Sequence, residues 1–119
     1  MKKIRAISIR QPYVEQIMRG TKKKEYRSRP THVKGEVYVY ASLTPGDITE
    51  FKKLKLQLGD LATGYIIGTI EIVGCVESKS KKGLFEWLLR NPKRLKRKLK
   101  PNPEQHPQPV WFYPFGREY

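Results

Sequence analysis

Apolar positions along this chain change period several times, and each change marks an element. From Arg5 to Arg10 the β-branched Ile7 and Ile9 flank Ser8, the alternation of a strand. Tyr13/Ile17 and Val14/Met18 then pair at i, i+4. This predicts two turns of helix, entered at Pro12, where a missing N–H costs nothing, and stopped by Gly20. Lys24 to Arg27 is short, and an extended backbone there puts Glu25 and Arg27 on one side. Arg29-Pro30 marks a turn. Glu36 to Ala41 is a strand with Val37 and Val39 facing away from Tyr38 and Tyr40. Thr44-Pro45-Gly46-Asp47 turns into a helix predicted over about Ile48 to Leu56, with Ile48, Phe51 and Leu54 inward. Tyr65 to Glu77 is the longest β pattern, and Gly68 and Gly74 within it predict bulges or sharp curvature.

The second half reads differently. Leu84 to Arg90 is helical through Phe85, Leu88 and Leu89, and Asn91-Pro92 offers the cap and first residue of a second helix to about Lys100. Leu95 and Leu99 form the narrow apolar line of that helix. Four prolines between Pro101 and Pro109 predict an extended segment, and Val110-Trp111-Phe112-Tyr113 a closing strand. The sum is an α+β fold, a small curved mixed sheet or partly open barrel with flanking helices. Strict strand–helix alternation and a glycine-rich nucleotide loop are both missing, which argues against a doubly wound domain. The 119 residues suit a single domain over 1–119, with a basic helical insertion at about 79–100 and a proline-rich segment at 101–109.

Charge narrows the class of partner. Lys plus Arg is 25 against 11 Asp plus Glu, a net +14 with a pI near 10.0, which favours polyanions and nucleic acid first. Between Lys79 and Lys100 ten basic residues accompany one acid, Glu86. No apolar run approaches the ~20 residues of a membrane span, so no membrane partner is expected. Arg10 and Gln11 interrupt any apolar stretch behind Met1-Lys2-Lys3, so the expectation is a cytoplasmic protein without an export signal. The single cysteine, Cys75, has apolar neighbours and reads as a small hydrophobe. His32 and His106 lie far apart, so no metal site is expected, and no cofactor motif is present.

The densest chemistry lies where the first helix hands over to a strand, in Gly20-Thr21-Lys22-Lys23-Lys24-Glu25-Tyr26-Arg27. Charges at such a junction are held by the scaffold and are candidates for gripping an anion. Lys22, Lys24 and Arg27, with Arg10 at the end of the first strand, supply cations. Glu25 either orients them and accepts from an exocyclic amine or serves as a plain counter-ion. Tyr13, Tyr26, Tyr40 and Trp111 are candidates to stack a base at the cleft, Tyr13 and Tyr26 foremost because they flank the charged element, and for each of the four a place in the core is the stronger reading. On the predicted basic helix, Lys93, Arg94, Lys96, Arg97, Lys98 and Lys100 face outward at a density comparable to backbone phosphates, adding affinity without sequence choice. The alternative for that run is a solvated face.

The elements Ile7-Ser8-Ile9-Arg10-Gln11-Pro12-Tyr13, Ile17-x-x-Gly20, Lys22-x-x-Glu25-x-Arg27 and Tyr38-Val39-Tyr40-Ala41-Ser42, in this order, resemble the ASCH domain. The resemblance runs from about residue 5 to 77 and extends to the closing strand. It implies a PUA-like mixed β-barrel with flanking helices and a cleft lined by the glycine-to-arginine element. It also implies RNA or single-stranded nucleic acid as partner. Some bacterial relatives are amidohydrolases acting on an acylated cytidine, and ribonuclease activity is also attributed to members. A modified nucleoside is therefore a second ligand class, with Lys22 as base and Glu25 as acid if the chain is an enzyme. The amidohydrolase lysine matches Lys22. The threonine position falls on Glu25, which removes that nucleophile, and the distal glutamate has only Glu71 and Glu77 as possible matches.

Overall fold

The structure, a computed structural model, describes residues 4–107 and 110–116. Positions 1–3, where the sequence opens on two lysines, and 108–109, the end of the proline-rich segment, lie outside the described residues. In chain order the elements are β1 (Ala6–Ile9), α1 (Tyr13–Met18), β2 (Lys24–Arg27), β3 (Gly35–Ala41), α2 (Ile48–Lys53), β4 (Tyr65–Glu77), β5 (Phe85–Leu99) and β6 (Trp111–Phe112). The six strands form one sheet in the order β2-β5-β4-β3-β1-β6. β1 runs parallel to β3, and the other pairs are antiparallel.

The sheet curls until its far ends meet. Trp87 of β5 stacks on Trp111 of β6, with ring centroids 5.7 Å apart and planes 7° from parallel. Arg27 of β2 donates from Nη2 to the backbone carbonyl of Ser8 on β1 at 2.8 Å, although three strands lie between them in the ladder. The result is a curled half-barrel with two short helices, the α+β class that the alternating patterns predict. Inside the curl, Ile7, Ile9, Val37, Val39, Ile70, Ile72, Trp87 and Leu89 pack with Val14 and Ile17 of α1. A smaller cluster of Ala6, Tyr40, Ile66 and Phe112 covers another part of the sheet. Gly20, at φ +80°, ends α1 as expected. α2 is anchored by buried Phe51, but Ile48, expected inward, is half exposed.

The main correction concerns 84–100. Neither predicted helix forms, and the basic helical insertion is instead the long strand β5, paired to β4 along its length and to β2 over Phe85 to Leu88. Two physical reasons decide this. Phe85, Trp87 and Leu89 recur at period two, and Trp87 and Leu89 are buried on one face as a strand requires. A helix over 92–100 would also stack like charges at i, i+4 (Lys93/Arg97, Arg94/Lys98, Lys96/Lys100), while a strand alternates them. Asn91 does not cap a helix. It takes a left-handed backbone, φ +54°, inside the strand, and its amide donates to Glu71. Pro92 lies beyond the reach of β2, where no ladder bond on that edge needs its N–H.

Both glycines inside β4 sit at register irregularities. Near Gly68 the mismatch is large: from Gly68↔Arg94 to Ile66↔Leu99, β5 advances five residues while β4 advances two. The extra residues of β5, around Lys96, Arg97 and Lys98, bulge out of the ladder. Gly68 also admits a close approach, because a methyl there would meet the Lys93 carbonyl oxygen and, at 2.7 Å, the Met18 sulfur. Among the described residues no helix is long and apolar enough to cross a membrane.

Candidate nucleic-acid interface

The turn from β1 into α1 builds one wall of an open cleft of about 600 Å³. Buried Gln11 fixes this turn: its side-chain oxygen accepts from the Glu15 N–H and its amide donates to the Ala62 carbonyl. Ser8, Ile9, Arg10 and Tyr13 line this side. The ring of Tyr13 lies against Gly46, where a Cβ would come within 2.7 Å of it, so glycine at 46 leaves room for the ring. Glu25, Tyr26 and Arg27 of β2 form the opposite wall, and Tyr40 with Ser42, Leu43 and Thr44 after β3 the floor. Arg10 is exposed and has no ion pair among the described residues.

Lys22, Glu25 and Arg27 converge on one another. The Lys22 ammonium is 3.7 Å from Glu25 Oε1, and the Arg27 guanidinium holds Glu25 Oε2 at 2.8 Å. Glu25 is therefore shared between two cations and buried by the pair. Arg27 is committed further by its bond to Ser8, so it works as a latch between β2 and β1. Lys22 stands beside the cleft between two of its wall residues, 5.4 Å from the Tyr13 ring centre and 5.5 Å from that of Tyr26. Its side chain is only 18% exposed. Burial holds Lys22 below the usual lysine range, with Glu25 pulling the other way and Lys81 adding to the lowering.

Lys81 was not legible as part of this site. It arrives from the turn between β4 and β5 and sits 4.1 Å from the Tyr26 ring centre. No local signal marks it, because the contact depends on β2 pairing with β5, more than fifty residues along the chain. Thr44 and Pro107 were also unforeseen. With lysines against its ring, Tyr26 acts as a shelf for cations, which leaves Tyr13 as the freer aromatic wall.

Several expected contacts lie elsewhere. Lys24 turns away from the cleft and pairs with Glu86 at 3.1 Å. Arg94, expected to face phosphate, instead makes two hydrogen bonds, of 3.0 and 3.2 Å, to buried Glu15, which also accepts from Arg19. Burial pushes the Glu15 carboxyl up, but bonds from Arg94 and Arg19 outweigh it and hold it below the ordinary value of 4.5. Lys93 lies 3.9 Å from Glu36. Lys98 and Lys100 rest over Tyr65, at 4.9 and 5.8 Å from its ring centre. Lys96 and Arg97 are exposed without an ion pair among the described residues. Trp111 is taken up by its stack on Trp87. No group of three or more His, Cys, Asp or Glu able to hold a metal gathers among the described residues.

A comparison with curated proteins returns no match. The sequence profile of the ASCH domain matches residues 7–110, a span that takes in both cleft walls and the whole basic strand. The chain belongs to the ASCH domain family, whose members are associated with RNA binding.

Proposed function

We propose that this domain binds RNA or single-stranded nucleic acid, with one nucleotide unit in the cleft and neighbouring phosphates on the bulged part of β5. The observation that carries this reading is the exposed guanidinium of Arg10, without an ion pair among the described residues, in a cleft whose other charged lining residues, Glu25 and Arg27, are paired with each other. About 600 Å³ suits one nucleoside, and a base can enter such a cleft only when it is free of a duplex. Tyr13 offers a face to a base, and Ser42 and Thr44 offer hydroxyls to its polar edge or to a ribose. Glu25, held by Lys22 and Arg27, accepts from an exocyclic amine. Lys96 and Arg97, with Lys98 over Tyr65, supply sequence-independent grip.

The test is fluorescence anisotropy with a labelled single-stranded oligoribonucleotide over a range of salt. Reversing Lys96, Arg97 and Lys98 together to glutamate should weaken binding and flatten the salt slope by roughly 0.7 log units per lost phosphate contact. Arg10→Ala should weaken binding of a mononucleotide as well. Unchanged affinity and slope in both variants would sink the reading.

A hydrolytic reading has one observation in its favour, the lowered pKa of Lys22 beside Glu25. Both oxygens of Glu25 are already engaged by cations, which leaves neither free to hand a proton to a leaving group. Turnover of an acylated cytidine that Lys22→Ala abolishes, with the fold intact, would establish it.

A further inference from the structure

Two lysines meet at one tyrosine beside the cleft, and only one of them belongs to the motif. Lys22 and Lys81 lie 5.5 and 4.1 Å from the centre of the Tyr26 ring, and Tyr26 itself lines the cleft. The turn that delivers Lys81 is built to do so. Ser78 N–H donates to the Leu84 carbonyl, Leu84 N–H donates to the Lys81 carbonyl, and Lys81 N–H donates to Ser78 Oγ. Ser78 Oγ in turn donates to Glu86 of β5, and Gly83 closes the turn at φ +86°.

The nearby carboxylates leave this pair under-neutralised: Glu50, which also acts on Lys22, is paired with Lys53 at 2.7 Å. Glu25 is shared between Lys22 and Arg27, with the shorter contact going to Arg27. Glu86 takes Lys24. Lys81 has no ion pair among the described residues. Two ammonium groups close to one ring repel each other, and an anion that both can reach relieves that repulsion while accepting from both. The lowering of the Lys22 pKa by Lys81 reflects the same proximity.

We infer that Lys22 and Lys81 form a phosphate clamp at the side of the cleft, so that the ligand is recognised as a nucleotide and not as a free nucleoside. The clamp rests on the cleft reading above and deepens it, naming the phosphate adjoining the bound base as the second recognised group. That phosphate is either the terminal group of a 5′-mononucleotide or an internal phosphodiester of a strand, and both present the same anionic oxygens.

The experiment is an NMR titration of the full chain with the four ribonucleosides, their 5′-monophosphates and a four-nucleotide single-stranded RNA. It is repeated on Lys81→Gln, a change at an exposed side chain that removes the ammonium over Tyr26 and keeps the backbone bonds of the turn. The monophosphate should bind roughly tenfold to a hundredfold tighter than its nucleoside, the range for charge-assisted bonds to one group. Lys81→Gln should bring that ratio down towards one, the monophosphate losing more affinity than its nucleoside. If only the oligonucleotide loses affinity in Lys81→Gln, the clamped phosphate is the internal one. If nucleosides shift the cleft resonances but Lys81→Gln changes no ligand's affinity, the clamp is overturned and the cleft stands. If nothing shifts the cleft resonances, the cleft reading falls and the clamp with it.

Discussion

Replacing Arg27 by methionine tests whether the motif arginine closes the fold or grips the ligand. Methionine keeps an unbranched stem near Trp87, whose ring centre lies 5.9 Å from the guanidinium carbon, and removes the bonds to Ser8 and Glu25. Each bond involving a charged group contributes about 1.5–3 kcal/mol. The Arg27 side chain is 22% exposed and Glu25 11%, so partial solvation trims the sum. The expected loss is about 2–4 kcal/mol, a fall in Tm on the order of 10 °C for a domain of this size. Urea unfolding followed by tryptophan fluorescence suits the question, because the chain's two tryptophans are the stacked pair that the curled sheet brings together. Arg27→Lys should fall between wild type and methionine, since an ammonium cannot reproduce the forked geometry. A methionine variant that loses less than about 1 kcal/mol, keeps its tryptophan signal and fails to bind nucleotide would refute the latch and make Arg27 a ligand contact.

Three further outcomes follow from the same contacts. Gly68→Ala should destabilise the fold by about 1–3 kcal/mol, because the methyl meets the β5 backbone and cannot be absorbed by a side-chain movement alone; urea midpoints decide it. The Glu15 carboxyl is lowered in the fold, so its contribution is fully present above pH 4.5 and is lost as pH falls through the lowered value. Glu15→Gln should therefore be less stable than wild type at pH 7, with the difference shrinking in acid; a constant difference would show that the charge is not what matters. Lys22→Met should be no less stable than wild type at pH 7, since burial disfavours the ammonium more than Glu25 supports it, yet it should bind nucleotide more weakly; a clear drop in the urea midpoint would contradict this.

Sequence alone determined the elements whose pattern is carried by neighbours: the β1 alternation around Ile7 and Ile9, the α1 stop at Gly20, the long β4 with its glycine irregularities, and the mutual grouping of Lys22, Glu25 and Arg27. In these cases spacing of two to four residues sets which side chains share a face, and that spacing is written in the chain. It misled over 92–100, where Leu95 and Leu99 at i, i+4 imitate a helix. Pairing with β4, which had a row of backbone groups needing partners, made that region a strand, helped by the like charges that a helix would stack at i, i+4. Tertiary structure also decided which cations stay available. Arg94 reaches across seventy-nine positions to Glu15, Lys24 goes to Glu86, and Lys81 comes to Tyr26. A charge's partner is fixed by where a curled sheet brings distant strands together, and no local period records that distance.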